Sequence, residues 1–257
     1  MLKRLENWTK ESLADVQEYV LLLARTLHAM FTRPFYLRDV IEQFDLIGVG
    51  SLTVVILTGF FTGAVLALQS GITLDQFGAQ PLVGRLVGAS MILELGPVLT
   101  ALMITGRVGS SIAAELGSMG VTEQLNALRA LGMDPVRKLV VPRVLAGFFM
   151  VPVLTVIADF VGIAGGWVIA RFQMGVASGV YWSSITEGLF WQDPFMGIAK
   201  PFFLGFVIVS IACHVGLRVT GGTQGVGRAT TRAVVIGSVS VLAVDFFLTK
   251  LMVFLFY

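Results

Sequence analysis

The fold class that the sequence predicts is an all-α integral membrane protein with five transmembrane helices, an N-terminal amphipathic interfacial helix and a short cytoplasmic loop helix. Of its 257 residues 56% are hydrophobic and 13% are charged, whereas a soluble domain has about 25% charged residues. The mean hydropathy is +0.85. Five apolar runs are long enough to cross a hydrocarbon core, which takes about 20 helical residues.

Residues 1–33 form the first predicted element, an amphipathic helix that Pro34 ends. Apolar residues recur mostly every three or four positions, as one face of a helix requires, while the charged residues lie off this stripe. The stripe consists of Leu2, Leu5, Leu13, Val16, Val20, Leu23, Leu27 and Met30. We expect the helix to lie flat on the membrane, with Trp8 and Tyr19 as interface anchors; the alternative is a helix packed on a partner protein.

Residues 34–257 form one predicted membrane domain. Its spans are expected at about 44–68, 86–112, 140–169, 195–215 and 233–256. Gly59 and Gly63 in the first span have the spacing that allows close helix approach, although glycines are also tolerated in lipid without a packing role. The connection before the fourth span contains Tyr181, Trp182 and Trp191, aromatic residues typical of membrane interfaces.

The distribution of lysine and arginine predicts the orientation, because cytoplasmic connections are rich in both. Fourteen of the 18 lie in the N-terminal segment and in the second-to-third and fourth-to-fifth connections. The other four, Arg85, Arg171, Lys200 and Lys250, are assigned to the opposite side. The N-terminus is therefore predicted to be cytoplasmic and, with five spans, the C-terminus to lie outside.

Glu94 is the most informative single residue, because a charge inside the bilayer costs a few kcal/mol unless it faces water, protein or a partner. Pro97 follows three residues later and removes a backbone donor, so the helix is predicted to kink there. A functional carboxylate beside an outward-open cavity and a structural carboxylate that caps or bonds a neighbour are equally good interpretations. For Asp159, Asp245 and Lys250, interhelical pairing is favoured over transport chemistry. The carboxylates of Glu94, Asp159 and Asp245 lie on three different spans and show no evident convergence.

A loop helix is predicted over residues 122–132 between the second and third spans. Leu125 and Leu128 share one face, Gly132 suits a helix C-cap and Pro135 prevents continuation. A short exposed helix with an apolar edge is shaped to dock in a partner's groove; the alternative is a helix resting on the membrane.

The sequence favours neither a soluble enzyme nor a metal site. His28 and His214 are far apart, and Cys213 lies alone in an apolar run, so no metal-ligand spacing is present. The segment Gly222–Arg228 lacks the lysine of a phosphate-binding loop. We therefore expect no catalytic residue, no metal and no cofactor on this chain; if ATP is used, another chain binds it.

Several motifs resemble those of the MlaE-type (YrbE-type) permeases, the membrane subunits of ABC lipid transporters. The matching segments are Glu94-Leu95-Gly96-Pro97, Gly106-Arg107-Val108-Gly109-Ser110, Ala114-Glu115-Leu116-Gly117, Thr122-Glu123-Gln124-Leu125, Asp134-Pro135, Pro142-Arg143, and Gly225-Val226-Gly227-Arg228-Ala229-Thr230-Thr231-Arg232 followed by Asp245-Phe246. The resemblance covers nearly the whole chain, and its block from Glu94 to Arg143 is highly specific.

The resemblance implies a homodimer in the bacterial inner membrane that moves phospholipid between the inner and outer membranes and maintains outer-membrane lipid asymmetry. It implies two cytoplasmic ABC ATPase subunits that carry ATP and magnesium, a STAS-domain subunit and a periplasmic hexamer of MCE-domain subunits. It also implies an outward-open lipid cavity at the dimer interface. The implied cavity residues are Leu66, Thr73, Leu74, Phe77, Glu94 and Leu95, and the implied coupling-helix residues are Glu123, Leu125, Leu128, Arg129 and Leu131. Some relatives have an arginine before the glutamate, where this chain has Leu93.

Three other functions remain open at this point. An ion-coupled carrier would use Glu94, Asp159 and Asp245 as a relay and would transport without an ATPase. A membrane scaffold would hold other subunits together and tolerate loss of Glu94. Within lipid transport, a steroid or another hydrophobic molecule is the main rival to phospholipid as substrate.

Overall fold

The structure, a computed structural model, describes residues 2–32 and 36–256, with side chains from residue 13 onward. The predicted helix end at Pro34 and the predicted anchor Trp8 lie outside the residues or side chains described. The residues that the structure describes contain eleven α-helices: α1 Leu2–Met30, α2 Leu37–Ile47, α3 Leu52–Asp75, α4 Val83–Ser90, α5 Gly96–Ile104, α6 Ser110–Val121, α7 Gln124–Ala130, α8 Val141–Phe172, α9 Ser178–Gly188, α10 Gln192–Leu217 and α11 Gly222–Phe256. The described residues contain no strand, which confirms the predicted all-α class.

Five continuous helical segments are long and apolar enough to cross a membrane, as predicted. They are Leu37–Asp75, Gln80–Val121, Val136–Phe172, Gln192–Leu217 and Gly222–Phe256. Each extends beyond the predicted span, because the helices continue past the apolar run into polar ends. The first begins earlier since α2 joins α3 through the single 3₁₀ turn Val49–Ser51.

In the described part of the chain, two π-helical turns interrupt the second span, at Met91–Leu95 and Thr105–Gly109, and a third, Val136–Val140, begins the third span. A π turn inserts one extra residue into the helix and re-aims the side chains around it, and such turns are frequent at functional sites. The first of them contains Glu94.

The seam between α3 and α8 is built on glycine. A β-carbon at Gly63 would collide with the carbonyl oxygen of Gly162, and one at Gly59 would meet the backbone of Ala158. The two helices therefore approach backbone to backbone, which only residues without a side chain allow. The packing role of Gly59 and Gly63 is confirmed.

Burial is uneven among the spans. In their most apolar windows, 61% of Gln192–Leu217 is buried, against 28% of Leu37–Asp75 and 17% of Gly222–Phe256. The α10 helix is thus the centre of the bundle, while α3 and α11 present wide apolar faces outward.

The α1 helix lies against the ends of α10 and α11 through its polar face. Leu13, Val16 and Val20 of the predicted stripe are exposed, so this chain does not bury them. In contrast, Asp15 pairs with Arg218 at 2.5 Å and with Arg232 at 3.0 Å. Exposed apolar residues of this kind are what a helix lying on a bilayer requires, whereas Met30 at the end of the stripe packs on the core.

One aromatic prediction was wrong. Tyr181 was assigned to an interfacial connection, but it lies in α9, is fully buried and donates its hydroxyl to the carbonyl of Ile163 at 3.0 Å. The sequence shows an aromatic-rich segment but not the packing of α9 against α4. Trp182 and Trp191 are exposed, as an interfacial position requires.

Candidate functional site

The site begins with the kink in the second span. Pro97 has no backbone N–H, so the carbonyl of Leu93, four residues earlier, does not receive the hydrogen bond that a regular α-helix would provide. The chain takes up the change in the π turn Met91–Leu95, where Gly96 N–H bonds the carbonyl of Met91, five residues back. The predicted opening of the helix at this point is confirmed.

Lys200 of α10 fills the gap that the proline leaves. Its ammonium donates to the carbonyl of Leu93 at 2.7 Å and to Glu94 Oε1 at 2.8 Å. The Lys200 side chain is 0% exposed. Pro97 thus leaves the Leu93 carbonyl without its α-helical donor, and the buried Lys200 donates to that carbonyl instead.

The α11 helix supplies two further groups. Asp245 Oδ1 lies 3.7 Å from Lys200 Nζ, and the Thr249 hydroxyl donates to Glu94 Oε1 at 3.1 Å. Asp245 and Thr249 are four residues apart and so share a helix face. We call Glu94, Lys200, Asp245 and Thr249 the ion cluster; it joins the kinked second span to α10 and α11.

Two sequence-based assignments were therefore wrong. Lys200 was placed in the connection before the fourth span, but it lies within α10 and at the centre of the bundle. The carboxylates were judged not to converge, yet Glu94 and Asp245 meet on the same ammonium. The predicted interhelical pairing of Asp245 is confirmed, whereas Lys250 is exposed. Removing Lys200 from the outer connections leaves the predicted orientation unchanged, since it lowers the outer count further.

The ion cluster lies at membrane depth. Lys200 is eight residues from the start of α10 and Asp245 eleven from the end of α11, about 12 Å and about 16 Å along the respective helices. Both depths fall inside a hydrocarbon core of about 30 Å. An intramembrane charge of this kind is expensive unless paired, and it marks a functional site by default.

Glu94 differs from its partners in exposure. Its side chain is 44% exposed, against 11% for Asp245 and 0% for Lys200. The carboxylate is thus held by one oxygen while part of it remains open to the surface of the chain. Asp159 is separate: its Oδ1 is buried without a hydrogen-bond partner among the described residues and lies against Gly96, where a β-carbon would collide with it.

The predicted cavity residues fall into two groups. Leu66, Leu74 and Leu95 are partly buried and pack on one apolar cluster that includes Met91. Thr73 and Phe77 are exposed, at the end of α3 and just beyond it. This brings the C-terminal part of α3 next to the Glu94 kink; a lipid-binding role for the six residues stays a prediction.

The predicted loop helix exists but is shorter. It spans Gln124–Ala130 rather than 122–132, because Glu123 adopts a left-handed conformation with φ of 60° just before it. Gly132, with φ of +74°, caps the other end. The N–H groups of Gly132 and Met133 bond the carbonyls of Arg129 and Leu128, the pattern of a Schellman C-cap.

The side chains of α7 divide into inward and outward sets. Leu125 is buried and contacts Gly120, so it anchors the helix to α6. Arg129 and Leu131 are exposed, and Leu128 is half-buried. The outward set is therefore Arg129 and Leu131, with Leu128 at its edge.

Ion pairs join the spans on either side of the loop. The buried Arg143 binds Glu115 at 2.7 Å and the Leu139 carbonyl at 2.8 Å. Lys138 binds Asp39 at 2.5 Å. These contacts tie the start of the third span to α6 and α2.

Comparison with known proteins identifies the relatives of this arrangement. The family model described as permease MlaE matches residues 40–251. A probable ABC transporter permease protein of Rickettsia conorii is 41% identical over 237 residues, 92% of each chain. The intermembrane phospholipid transport system permease protein MlaE of Haemophilus influenzae is 39% identical over 213 residues, 82% of each chain. The chloroplastic protein TRIGALACTOSYLDIACYLGLYCEROL 1 of Arabidopsis thaliana is 34% identical over 83% of this chain and 61% of its own length.

Proposed function

This chain belongs to the MlaE permease family, and we propose that it is the permease subunit of an ABC transporter that moves phospholipid between the inner and outer membranes. Membership of the family makes it a multi-pass transport subunit. The observation that carries the finer proposal is the half-exposed Glu94 at a proline kink, held by the buried Lys200. The proposed consequence of this phospholipid transport is the maintenance of lipid asymmetry in the outer membrane.

The lipid cavity is proposed at a homodimer interface, open to the periplasm. Its wall is formed by Leu66, Leu74 and Leu95 around the kink, with Thr73 and Phe77 at the outer rim. Two features support this: α3 and α11 leave wide apolar faces uncovered, and the side chain of Glu94, at the kink of the second span, is 44% exposed. A phospholipid needs an apolar surface for its acyl chains and few polar groups for its head.

Energy is proposed to enter through α7. Partner ABC ATPases would bind ATP and magnesium and dock on Glu123, Leu128, Arg129 and Leu131, while the buried Leu125 holds the helix in place. This orientation puts the N-terminus in the cytoplasm and the C-terminus in the periplasm. A STAS-domain subunit and a periplasmic MCE-domain hexamer complete the proposed assembly.

The ion cluster gives the mechanism its rigid link. Tilting α7 displaces α6 and the third span through Leu125 and the Arg143–Glu115 pair. The second span must then move about its kink, and Lys200 carries α10 and α11 with it. The cavity wall and the ion cluster of one copy would therefore move as one unit toward the second copy across the proposed homodimer interface. This movement would narrow the cavity and expel the lipid.

The test uses the full transporter in liposomes, with transfer of a fluorescent phospholipid to acceptor vesicles as the readout. Arg129→Gln is expected to abolish ATP-dependent transfer while leaving co-purified phospholipid in place. The matched control is Arg171→Gln, the same charge loss on an exposed arginine near the end of α8, which should transfer normally. Normal transfer by Arg129→Gln would make the proposed docking site wrong.

The same assay separates the alternatives. An ion-coupled carrier would transfer lipid without the ATPase and would stop when the proton gradient is collapsed. A scaffold would be unaffected by Glu94→Ala. A steroid permease would transfer a fluorescent sterol in preference to phospholipid.

A further inference from the structure

A second cavity lies at the opposite end of the bundle from the ends that form the proposed lipid cavity, where α10 finishes and α11 begins. Its volume is about 670 Å³, within the range of about 300–1,000 Å³ typical of small-molecule sites. One face of α10, one face of α11 and the docked α1 helix enclose it. We call it the inner groove.

Three guanidinium groups define the polar end of the inner groove: Arg218, Arg228 and Arg232. Asp15 binds Arg218 and Arg232, and Glu18 binds Arg218 at 3.2 Å. Within the described part of the chain, Arg228 makes neither an ion pair nor a side-chain hydrogen bond, and it is exposed. Two carboxylates thus face three cations, and the uncompensated charge is at Arg228.

The two arginines on α11 lie on one face of the helix, Arg228 without an ion pair among the described residues and Arg232 bound to Asp15. Arg228 and Arg232 are four residues apart, so their side chains leave the same face one turn from each other. Guanidinium groups in this arrangement are well suited to phosphate oxygens, which they bind through charge-assisted hydrogen bonds. Thr220 adds a hydroxyl at the same end of the groove.

The remainder of the inner groove is largely apolar. The lining continues from Arg228 to Ser240 along α11, a distance of about 18 Å. The apolar wall consists of Val16, Ile211, Val215, Val219, Ala229 and Ile236. A soluble anion would occupy only the arginine end and leave this wall in contact with water.

We propose that the inner groove binds an anionic phospholipid of the cytoplasmic leaflet, with its phosphate on Arg228 and Arg232 and one acyl chain along the apolar wall. Basic residues next to a span attract the anionic lipids of that leaflet. Because α1 forms one side of the groove, the lipid holds α1 against α10 and α11 and adds to the Asp15 contacts. The site is distinct from the Glu94 kink and does not depend on the proposed transport, but its assignment to the cytoplasmic leaflet rests on the orientation proposed with that function.

The probe is phosphatidylglycerol with a photoreactive diazirine on one acyl chain, supplied at low mole fraction in phosphatidylcholine nanodiscs that contain the full-length chain. Photoadducts are expected on the peptides around Val219 and Ile236. Arg228→Gln should lower these adducts about tenfold, the value of one charge-assisted contact. Adducts at the outer end of α3 should not change and serve as the internal reference. The matched control Arg171→Gln should change neither the adducts around Val219 and Ile236 nor those at the outer end of α3.

Because Arg228 is exposed and unpaired, its substitution should not impair folding, and an unchanged unfolding midpoint checks this. Arg228→Lys, which keeps the charge, should retain part of the labelling. Equal labelling by a phosphatidylcholine probe would overturn the proposal, as would competition by soluble glycerophosphoglycerol, which would indicate an anion site without a chain. Absence of labelling together with disulfide formation between two copies of an Ile236→Cys variant would assign the groove to the second copy instead.

Discussion

Replacing Lys200 by methionine tests whether the ion cluster is a single electrostatic unit. Methionine has nearly the volume of lysine, so the change removes the ammonium without opening a large cavity. It leaves Asp245 and Glu94 without their cation and the carbonyl of Leu93 without its donor. The expected effect is therefore electrostatic rather than steric.

The magnitude follows from the burial of each partner. Removing one partner of a buried ion pair costs about 3–5 kcal/mol. Asp245 is 11% exposed and bears most of this penalty, whereas Glu94 is 44% exposed and is partly screened by solvent. We expect about 3 kcal/mol, the lower end of that range, for Lys200→Met. For a chain of this size that is a fall in unfolding midpoint of roughly 6–12 °C.

The assay is thermal unfolding of the purified protein in one detergent at fixed lipid content. The triple variant Lys200→Met, Glu94→Gln, Asp245→Asn should recover part of the loss, because it leaves no buried charge without its partner. Lys250→Met, at the exposed lysine of α11, is the matched control. A midpoint for Lys200→Met within about 2 °C of the wild type, or no recovery in the triple variant, would refute the reasoning.

Three further predictions concern the α3–α8 seam, the loop helix and the α1 contacts. Gly63→Leu should force α3 from α8 and destabilise the protein by more than about 3 kcal/mol, seen as a lower unfolding midpoint, whereas Gly179→Ala, where a β-carbon meets open space, should be close to neutral. Glu123→Gly should raise the unfolding midpoint, because a left-handed non-glycine residue costs about 1–2 kcal/mol, and should at the same time lower ATP-dependent lipid transfer; a lower midpoint would contradict the strain at this position. The hydrogen bond from Arg218 is the main cause that lowers the pKa of Asp15, so this contact stabilises the α1 dock fully above the unfolded-state pKa of about 3.9 and weakens as the pH falls through the lower folded-state value. Spin labels on α1 and α10 should accordingly separate only in acid, and Asp15→Asn should remove this pH dependence.

Most of the architecture follows from local properties of the sequence. Transfer of apolar side chains into lipid depends on each run by itself, so five spans, the kink at Pro97, the cap at Gly132 and the loop helix are all predictable from the order of residues. The same is true of the close approach at Gly59 and Gly63, since two glycines four apart leave a flat strip on any helix. The family motifs from Glu94 to Arg143 have the same local character.

Only the tertiary structure decided which charges meet. Lys200 is 107 residues from Leu93 and 106 residues from Glu94 in the sequence. Asp15 binds Arg218, which is 203 residues away. The crossing angle, the rotation and the axial shift of two helices decide which of their side chains face each other. The residue pattern within one helix does not determine these three quantities. The sequence by itself therefore determined a five-span permease with an isolated glutamate at a kink. The packing of α10 between the second span and α11 brings Lys200, Asp245 and Thr249 to that glutamate and so forms the ion cluster.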